Sequence, residues 1–235
     1  MIILSASIAK GTTGFGFALI STPFLLLIWE TSIIVAVLVP LVMTLDILIV
    51  FQGRNRLDWK RVTPMITGAF LGIPIGTVLL LTIPENILKL TIAGVVLLFA
   101  ILLLRGYTLR IRHDRIVGSI AGFFSGALLT STSLSGPPIT LYMINQKWDK
   151  DTFRTSQGLF HLITDILGTA SLIATGIITI DTLTIGIALF PAVLIGYVIS
   201  IFLLPRIPKN LFLRITTGIV VTAALLALGS ELIRI

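Results

Sequence analysis

Thr130-Ser131-Thr132-Ser133-Leu134-Ser135-Gly136-Pro137-Pro138 lies in the middle of an apolar stretch that runs from residue 116 to 146. As one straight helix that stretch would be about 46 Å long at 1.5 Å per residue. The hydrocarbon core of a bilayer is only about 30 Å thick. The quoted residues are also poor helix formers. Pro137 and Pro138 lack backbone N–H groups, and the glycine and hydroxyl run punctuates what remains. The stretch is therefore either one discontinuous helix or a re-entrant hairpin of two half-helices. A second interruption falls near the start, where Gly11, Gly14 and Gly16, and then Pro23, break the apolar run 2–29.

Between these two runs and after them lie six plainer ones: 31–52, 62–82, 86–104, 155–177, 183–204 and 211–232. Each has the length of about 20 residues that a spanning helix needs. Composition agrees. Hydrophobic residues make up 56% of the 235, charged residues only 11%, and the mean hydropathy is +1.09. A soluble domain carries about 25% charged residues, so this chain lacks the charge for a water-facing surface. That excludes a soluble enzyme, a nucleic-acid binder and a disordered chain. It leaves a polytopic membrane protein. Cysteine is absent and there are two histidines, which excludes disulfides and Cys-based metal sites. No metal and no cofactor is expected. The opening MIILSASIAKG lacks the basic region of a signal peptide and reads as part of the mature structure.

The net charge of +7 reports orientation, because lysine and arginine collect in cytoplasmic loops. Four connections hold most of the 17 basic residues. They carry Arg54, Arg56, Lys60 and Arg61; Arg105, Arg110, Arg112 and Arg115; Lys147, Lys150 and Arg154; and Arg206, Lys209 and Arg214. The connections near Glu30, Pro84–Glu85 and Thr179–Asp181 are almost free of them. A single crossing by 116–146 would scatter basic loops over both sides. A hairpin that enters and leaves on one side puts all four inside, so the hairpin is the expected form. Trp29, Trp59 and Trp148 lie at run ends, as interfacial anchors do.

The halves resemble each other. Ile83-Pro84-Glu85-Asn86 pairs with Ile207-Pro208-Lys209-Asn210, and Gly94 with Gly218. Leu45-Asp46-Ile47-Leu48 pairs with Thr164-Asp165-Ile166-Leu167. A hairpin followed by three crossings, repeated, places the second copy upside down. The expectation is an all-α polytopic membrane protein with two inverted repeats, each a broken or re-entrant segment followed by three transmembrane helices. The 1–235 chain is then one integral membrane domain, with repeat one about 1–110 and repeat two about 111–235. Inverted repeats with broken helices at their interface are a recurrent transporter plan.

The chemistry is expected at the breaks. Irregular backbone at membrane depth occurs only where protein buries it or a wet cavity borders it. A half-helix beginning there presents unbonded N–H groups and a partial positive charge, which suits an anion. The first break offers Lys10, Thr12, Thr13, Gly14, Phe15, Gly16, Ser21 and Thr22. The second offers Thr130, Ser131, Thr132, Ser133, Ser135 and Gly136. Pro23, Pro137 and Pro138 mark the interruptions. Glycine, serine and threonine also serve plain helix packing. Lys10 could supply a positive field to an anion or, near the membrane surface, snorkel to water. Asp46 and Asp165 are the intramembrane acids. Gln157, His161 and Asp165 recur every four residues and share one helix face. A carboxylate beside an imidazole could carry a proton through a cycle, or the acids could be structural. Gly118-x3-Gly122-x3-Gly126 permits tight packing, within a hairpin or across a homodimer.

Two stretches also resemble a known family. KGTTGFGFALISTPFLLL (Lys10–Leu27), with its GFG-x-x-L-x-x-x-P string, and GFFSGALLTSTSLSGPPITLYM (Gly122–Met143) look like the two repeat signatures of the sulfite exporter TauE/SafE family. The second departs by carrying hydroxyls at Ser131, Ser133 and Ser135 where many members have glycine. The resemblance implies a permease of the bacterial or archaeal plasma membrane for sulfite, sulfoacetate or related organosulfonates. By motif it carries over Lys10, Gly14, Phe15, Gly16 and Pro23, and Gly122, Gly126, Gly136 and Pro137. The expected partners are a small anion and the lipid bilayer. Another small carboxylate or inorganic anion is the competing substrate class. A channel-like pore, a non-transporting scaffold and a membrane enzyme are the competing classes of protein, the last without any nucleophile–base or metal constellation in the sequence.

Overall fold

The computed structural model describes residues 1–105, 114–146 and 148–203. The run 211–232, the basic residues Arg110, Arg112, Lys147, Arg206, Lys209 and Arg214, and the repeat element Ile207–Asn210 with Gly218 lie outside the described residues. The described residues form nine α-helices in chain order: α1 Ile2–Thr13, α2 Phe17–Leu25, α3 Thr31–Gly53, α4 Trp59–Thr82, α5 Glu85–Arg105, α6 Asp114–Thr132, α7 Gly136–Asn145, α8 Lys150–Ala174 and α9 Ile180–Leu203. A short 3-10 turn, Arg54–Arg56, follows α3. No strand occurs among the described residues.

Among the described residues, four helices have the length and composition to cross a membrane: Thr31–Arg56, Trp59–Thr82, Asp151–Ala174 and Ile180–Leu203. Their outward faces are apolar, with Phe70, Leu71, Val78 and Leu81 exposed on α4 and Ile187, Ile195, Val198 and Phe202 exposed on α9. Exposed leucine and phenylalanine in such numbers are costly in water and comfortable in lipid. α3 is different. Ile34 through Val39 are all buried, so it runs through the centre, and α8 and α9 pack against it.

The two long apolar runs are both interrupted, at 14–16 and at 133–135. α6 and α7 fold back on each other. The Ser125 hydroxyl donates to the Ser135 carbonyl, and the Tyr142 hydroxyl reaches the Asp114 carbonyl at 3.1 Å. Such pairing makes 116–146 a hairpin, as the loop charges predict. α1 runs alongside α9, with Gly196 against Ser7 and Gly11 against Ser200. α2 then leads away from that end towards Glu30. Two of the basic connections share one end of the molecule, where Arg56 meets Asp151 at 3.7 Å. At the opposite end Glu85 accepts the Thr31 N–H and hydroxyl, both at 2.8 Å, capping α3 from another helix.

The glycine motif of α6 is absorbed within the chain. A Cβ on Gly122 would overlap the Met65 backbone, and one on Gly126 would meet Ala69. Reciprocally, Gly68, Gly72 and Gly76 of α4 sit against the backbones of Ser119, Phe123 and Ala127. Two stripes of small residues thus let α4 and α6 touch backbone to backbone. This corrects the homodimer alternative for that motif, since its face is already covered. Trp148 is likewise no lipid anchor. It is buried, with the Arg61 guanidinium 5.5 Å over its ring.

Candidate functional site

The interruptions meet in the interior. At the first, Gly14 and Gly16 have φ of 86° and 97°. These left-handed conformations are easy only for glycine, and they end α1 and begin α2 within three residues. At the second, Ser133 holds φ 61°, and its hydroxyl pairs with that of Thr22 at 2.8 Å. That bond ties the two broken segments together directly.

Between them lies a cavity of about 30 Å³, room for about two waters. It is bordered by Lys10, by Gly16 to Leu19 of the α2 start, by Ser133 to Gly136 of the α7 start, and by His161. Neither half-helix has a side-chain cap at its N-terminus. The surface helices differ: Asp58 caps α4 and Asp149 caps α8, through the N–H groups of Arg61 and Thr152. First-turn N–H groups have no acceptor inside their own helix, so the α2 start offers the cavity unclaimed donors. α7 offers fewer, because Pro137 and Pro138 have none.

Lys10 does not snorkel. It is 3% exposed, and its ammonium lies 2.7 Å from Asp46 Oδ2. A buried pair of this kind is held by geometry, since desolvation offsets most of the attraction. Asp46 Oδ1 has no hydrogen-bond partner, and neither oxygen of Asp165 has one. The two carboxyl groups interact across the α3–α8 contact. His161 does not pair with Asp165; its Nδ1 sits 3.1 Å from the Ser135 hydroxyl. Gln157 Nε2 donates to Thr140 Oγ1 at 2.6 Å. The shared face of α8 therefore makes three separate contacts along one line.

Phe15 also borders the cavity, whereas the other expected hydroxyl residues are near the breaks but not on its wall. Their hydroxyls donate to carbonyls of the preceding turn: Thr12 to Ile8 and Ala9, Ser21 to Phe17, Ser131 to Ala127 and Thr132 to Leu128. Thr13 bonds the carbonyls of Ala9 and Phe15 and shapes the first turn. Thr130 donates to the Ile73 carbonyl at 2.8 Å and joins α6 to α4.

Arg154 stands in the sequence among the loop charges, but the structure buries it. It is 6% exposed. Its Nε donates to the Gly11 carbonyl at 2.8 Å and its Nη2 to Gln52 Oε1 at 3.0 Å. Tyr197 also donates to Gln52 Oε1. A cation at the C-terminal end of α1 is favoured by the helix dipole, so Arg154 fixes the first break in place. The available signal was the α8 stripe itself, which extends one turn back from Gln157 to Arg154.

Apolar helices long enough to cross a bilayer, two apolar runs broken in the interior, and a cavity at the breaks with a few polar groups on a largely apolar wall define a multi-pass membrane protein with an internal site. The family model described as Sulfite exporter TauE/SafE matches residues 1–228. The chain belongs to that family, whose members are membrane transporters. No curated protein and no solved structure matches it.

Proposed function

We propose that the protein moves a small sulfur-containing anion, such as sulfite or an organosulfonate, across the membrane by alternating access. One observation carries the anion: the Lys10 ammonium, the uncapped start of α2 and the Ser133 and Ser135 hydroxyls border a single cavity. Each favours negative charge, and together they need no metal. Membership of the family supports the sulfur.

In this reading the guest lies between the α2 and α7 starts, shares Lys10 with Asp46, and accepts hydrogen bonds from Ser133 and Ser135. Gly16 and Gly136 let the backbone come close. Gly14, Phe15, Thr12, Thr13, Ser21, Thr130, Ser131 and Thr132 shape the two breaks. The hairpins α1–α2 and α6–α7 are inverted counterparts, each followed by crossing helices. The Thr22–Ser133 bond, which joins the two broken segments, supports that reading. Movement of one hairpin against the other would open the cavity first to one side and then to the other.

Flux of labelled sulfite and organosulfonates into proteoliposomes tests the proposal. The expected result is saturable flux that unlabelled sulfite inhibits. Flux of small carboxylates in preference to every sulfur anion would overturn the substrate class, and linear, unsaturable flux would overturn the carrier mechanism.

A further inference from the structure

The acids behind Lys10 remain to be explained. Lys10 neutralises one carboxylate, and there are two. Asp165 is 1% exposed and receives no hydrogen bond on either oxygen, while Asp46 uses only Oδ2, with Oδ1 unpartnered. A buried carboxylate with no donor is costly, and two adjacent ones repel. The other titratable groups do not relieve this. His161 is engaged with Ser135. Tyr197 of α9 points to the Leu48 carbonyl and Gln52, and Glu85 of α5 caps Thr31. The charged residues of α4 and α6 sit at the basic end, and α2 and α7 have none.

One proton relieves the repulsion. Placed on one Asp165 oxygen, it makes an O–H that can donate to Asp46 Oδ1, which otherwise has no donor. Asp46 is then held from both sides, by Lys10 and by Asp165, and the trio is neutral. Without the proton the trio carries a net negative charge beside a cavity suited to an anion. A metal cation fits less well. It would need several oxygen ligands, would lie against the Lys10 ammonium, and finds no cluster of acidic or histidine ligands among the described residues.

We propose that the Asp46–Asp165 pair binds a single proton together with each anion, so that the transporter is a proton–anion cotransporter. This rests on the anion reading above. With Asp165 protonated, Asp46 has a second donor, and Lys10 can turn part of its charge to the guest. With Asp165 ionised, Asp46 keeps Lys10 and the local field repels the guest. Proton and anion therefore promote each other's binding, and the linkage is reciprocal. No bond other than O–H is made or broken. The proton is taken from water on the side where the anion enters and returned on the side where it leaves.

The test uses the full chain in nanodiscs, with methanesulfonate and sulfite as probes. The charge of methanesulfonate is constant over the range used. Binding is measured from pH 5.5 to 8.5, with proton uptake read from the dependence of binding heat on the buffer. The expected result is weakening of methanesulfonate binding by about tenfold per pH unit on the alkaline side, as one linked proton requires. Asp165→Asn flattens that slope and binds methanesulfonate at least about tenfold tighter than the wild type at pH 8.5. A merely structural acid gives no such gain. Asp46→Asn serves as the second variant if Asp165→Asn does not fold, and it also flattens the slope. Binding that is flat with pH in the wild type, a slope that survives both variants, or a requirement for sodium overturns the proton site and leaves the anion reading intact. No binding of either probe at any pH overturns both.

Discussion

The two interruptions do the same topological job with different chemistry. The first, at 14–16, is made by two glycines in the left-handed region, and it delivers an α2 start whose N–H groups are unclaimed. The second, at 133–135, is made by a serine in that region and followed by two prolines, so its α7 start has few N–H groups and offers hydroxyls instead. Positive field therefore comes mainly from the first segment, through α2 and Lys10. Shape and adjustable hydrogen bonds come mainly from the second. A pair of identical breaks would make a symmetric cradle. This pair makes a cavity with one charged wall and one hydroxylated wall, suited to a guest that spreads its charge over several oxygens.

The largest test of that contrast is Lys10→Met. It removes the charge of the first wall and leaves Asp46 buried without its partner, which costs about 3–5 kcal/mol. Thermal unfolding in detergent should show a marked loss, and anion binding should disappear. Lys10→Met combined with Asp46→Leu should recover much of the stability and none of the binding. That separates the pair's structural role from its role towards the guest.

Gly14→Ala comes next. The residue would have to hold φ 86°, at a cost of about 1–3 kcal/mol. Its methyl would also press on the Arg154 backbone, 3.1 Å away. Lower unfolding temperature and weaker anion binding are both expected, because Arg154 anchors the end of α1. An unaltered protein would mean that the first break tolerates a side chain and that its glycine is incidental.

At the second break the effects are smaller. Ser133→Ala loses the hydroxyl bond to Thr22, worth about 1 kcal/mol. Ser133→Gly loses the same bond but relieves the φ of 61°, so its stability should lie close to the wild type, above that of Ser133→Ala. The order of the two melting temperatures is the readout.

Smallest of all is a surface N-terminus that needs no guest. Asp149 caps α8 through the Thr152 N–H at 3.0 Å, and hydrogen bonds from Thr152 hold its carboxyl below the usual aspartate range. A lowered carboxyl contributes stability above its unfolded pKa of about 3.9. That contribution fades as pH falls through the folded value. Asp149→Ala should lower the melting temperature slightly at pH 7, by an equivalent of about 0.5 kcal/mol, and the difference should shrink as pH falls below the unfolded pKa of about 3.9.

Both breaks were legible in the sequence, because glycine and proline state backbone restrictions locally and the length of 116–146 exceeds the bilayer. The hairpin was legible because loop charge is a one-dimensional signal. The Lys10–Asp46 pair was not, although both residues stood out, since their meeting depends on how α1 packs against α3. Arg154 was hidden among true loop charges, and only the continued α8 stripe set it apart. The α4 stripe at Gly68, Gly72 and Gly76 is plainly written but means little on one helix alone; it acquires meaning against α6, whose Gly122 and Gly126 in turn admit Met65 and Ala69 of α4. The repeat pairing that involves Ile207–Asn210 falls outside the described residues.

The central claim is that the charged wall of the first break and the hydroxyl wall of the second hold one anion between them. Selenite is a heavy-atom mimic of sulfite, and its anomalous scattering locates it without ambiguity. Crystals of the protein soaked in selenite should show one strong peak between the Lys10 ammonium, the α2 start and the Ser133 and Ser135 hydroxyls, absent in Lys10→Met/Asp46→Leu. A peak elsewhere in the molecule, with this cavity empty, would contradict the account.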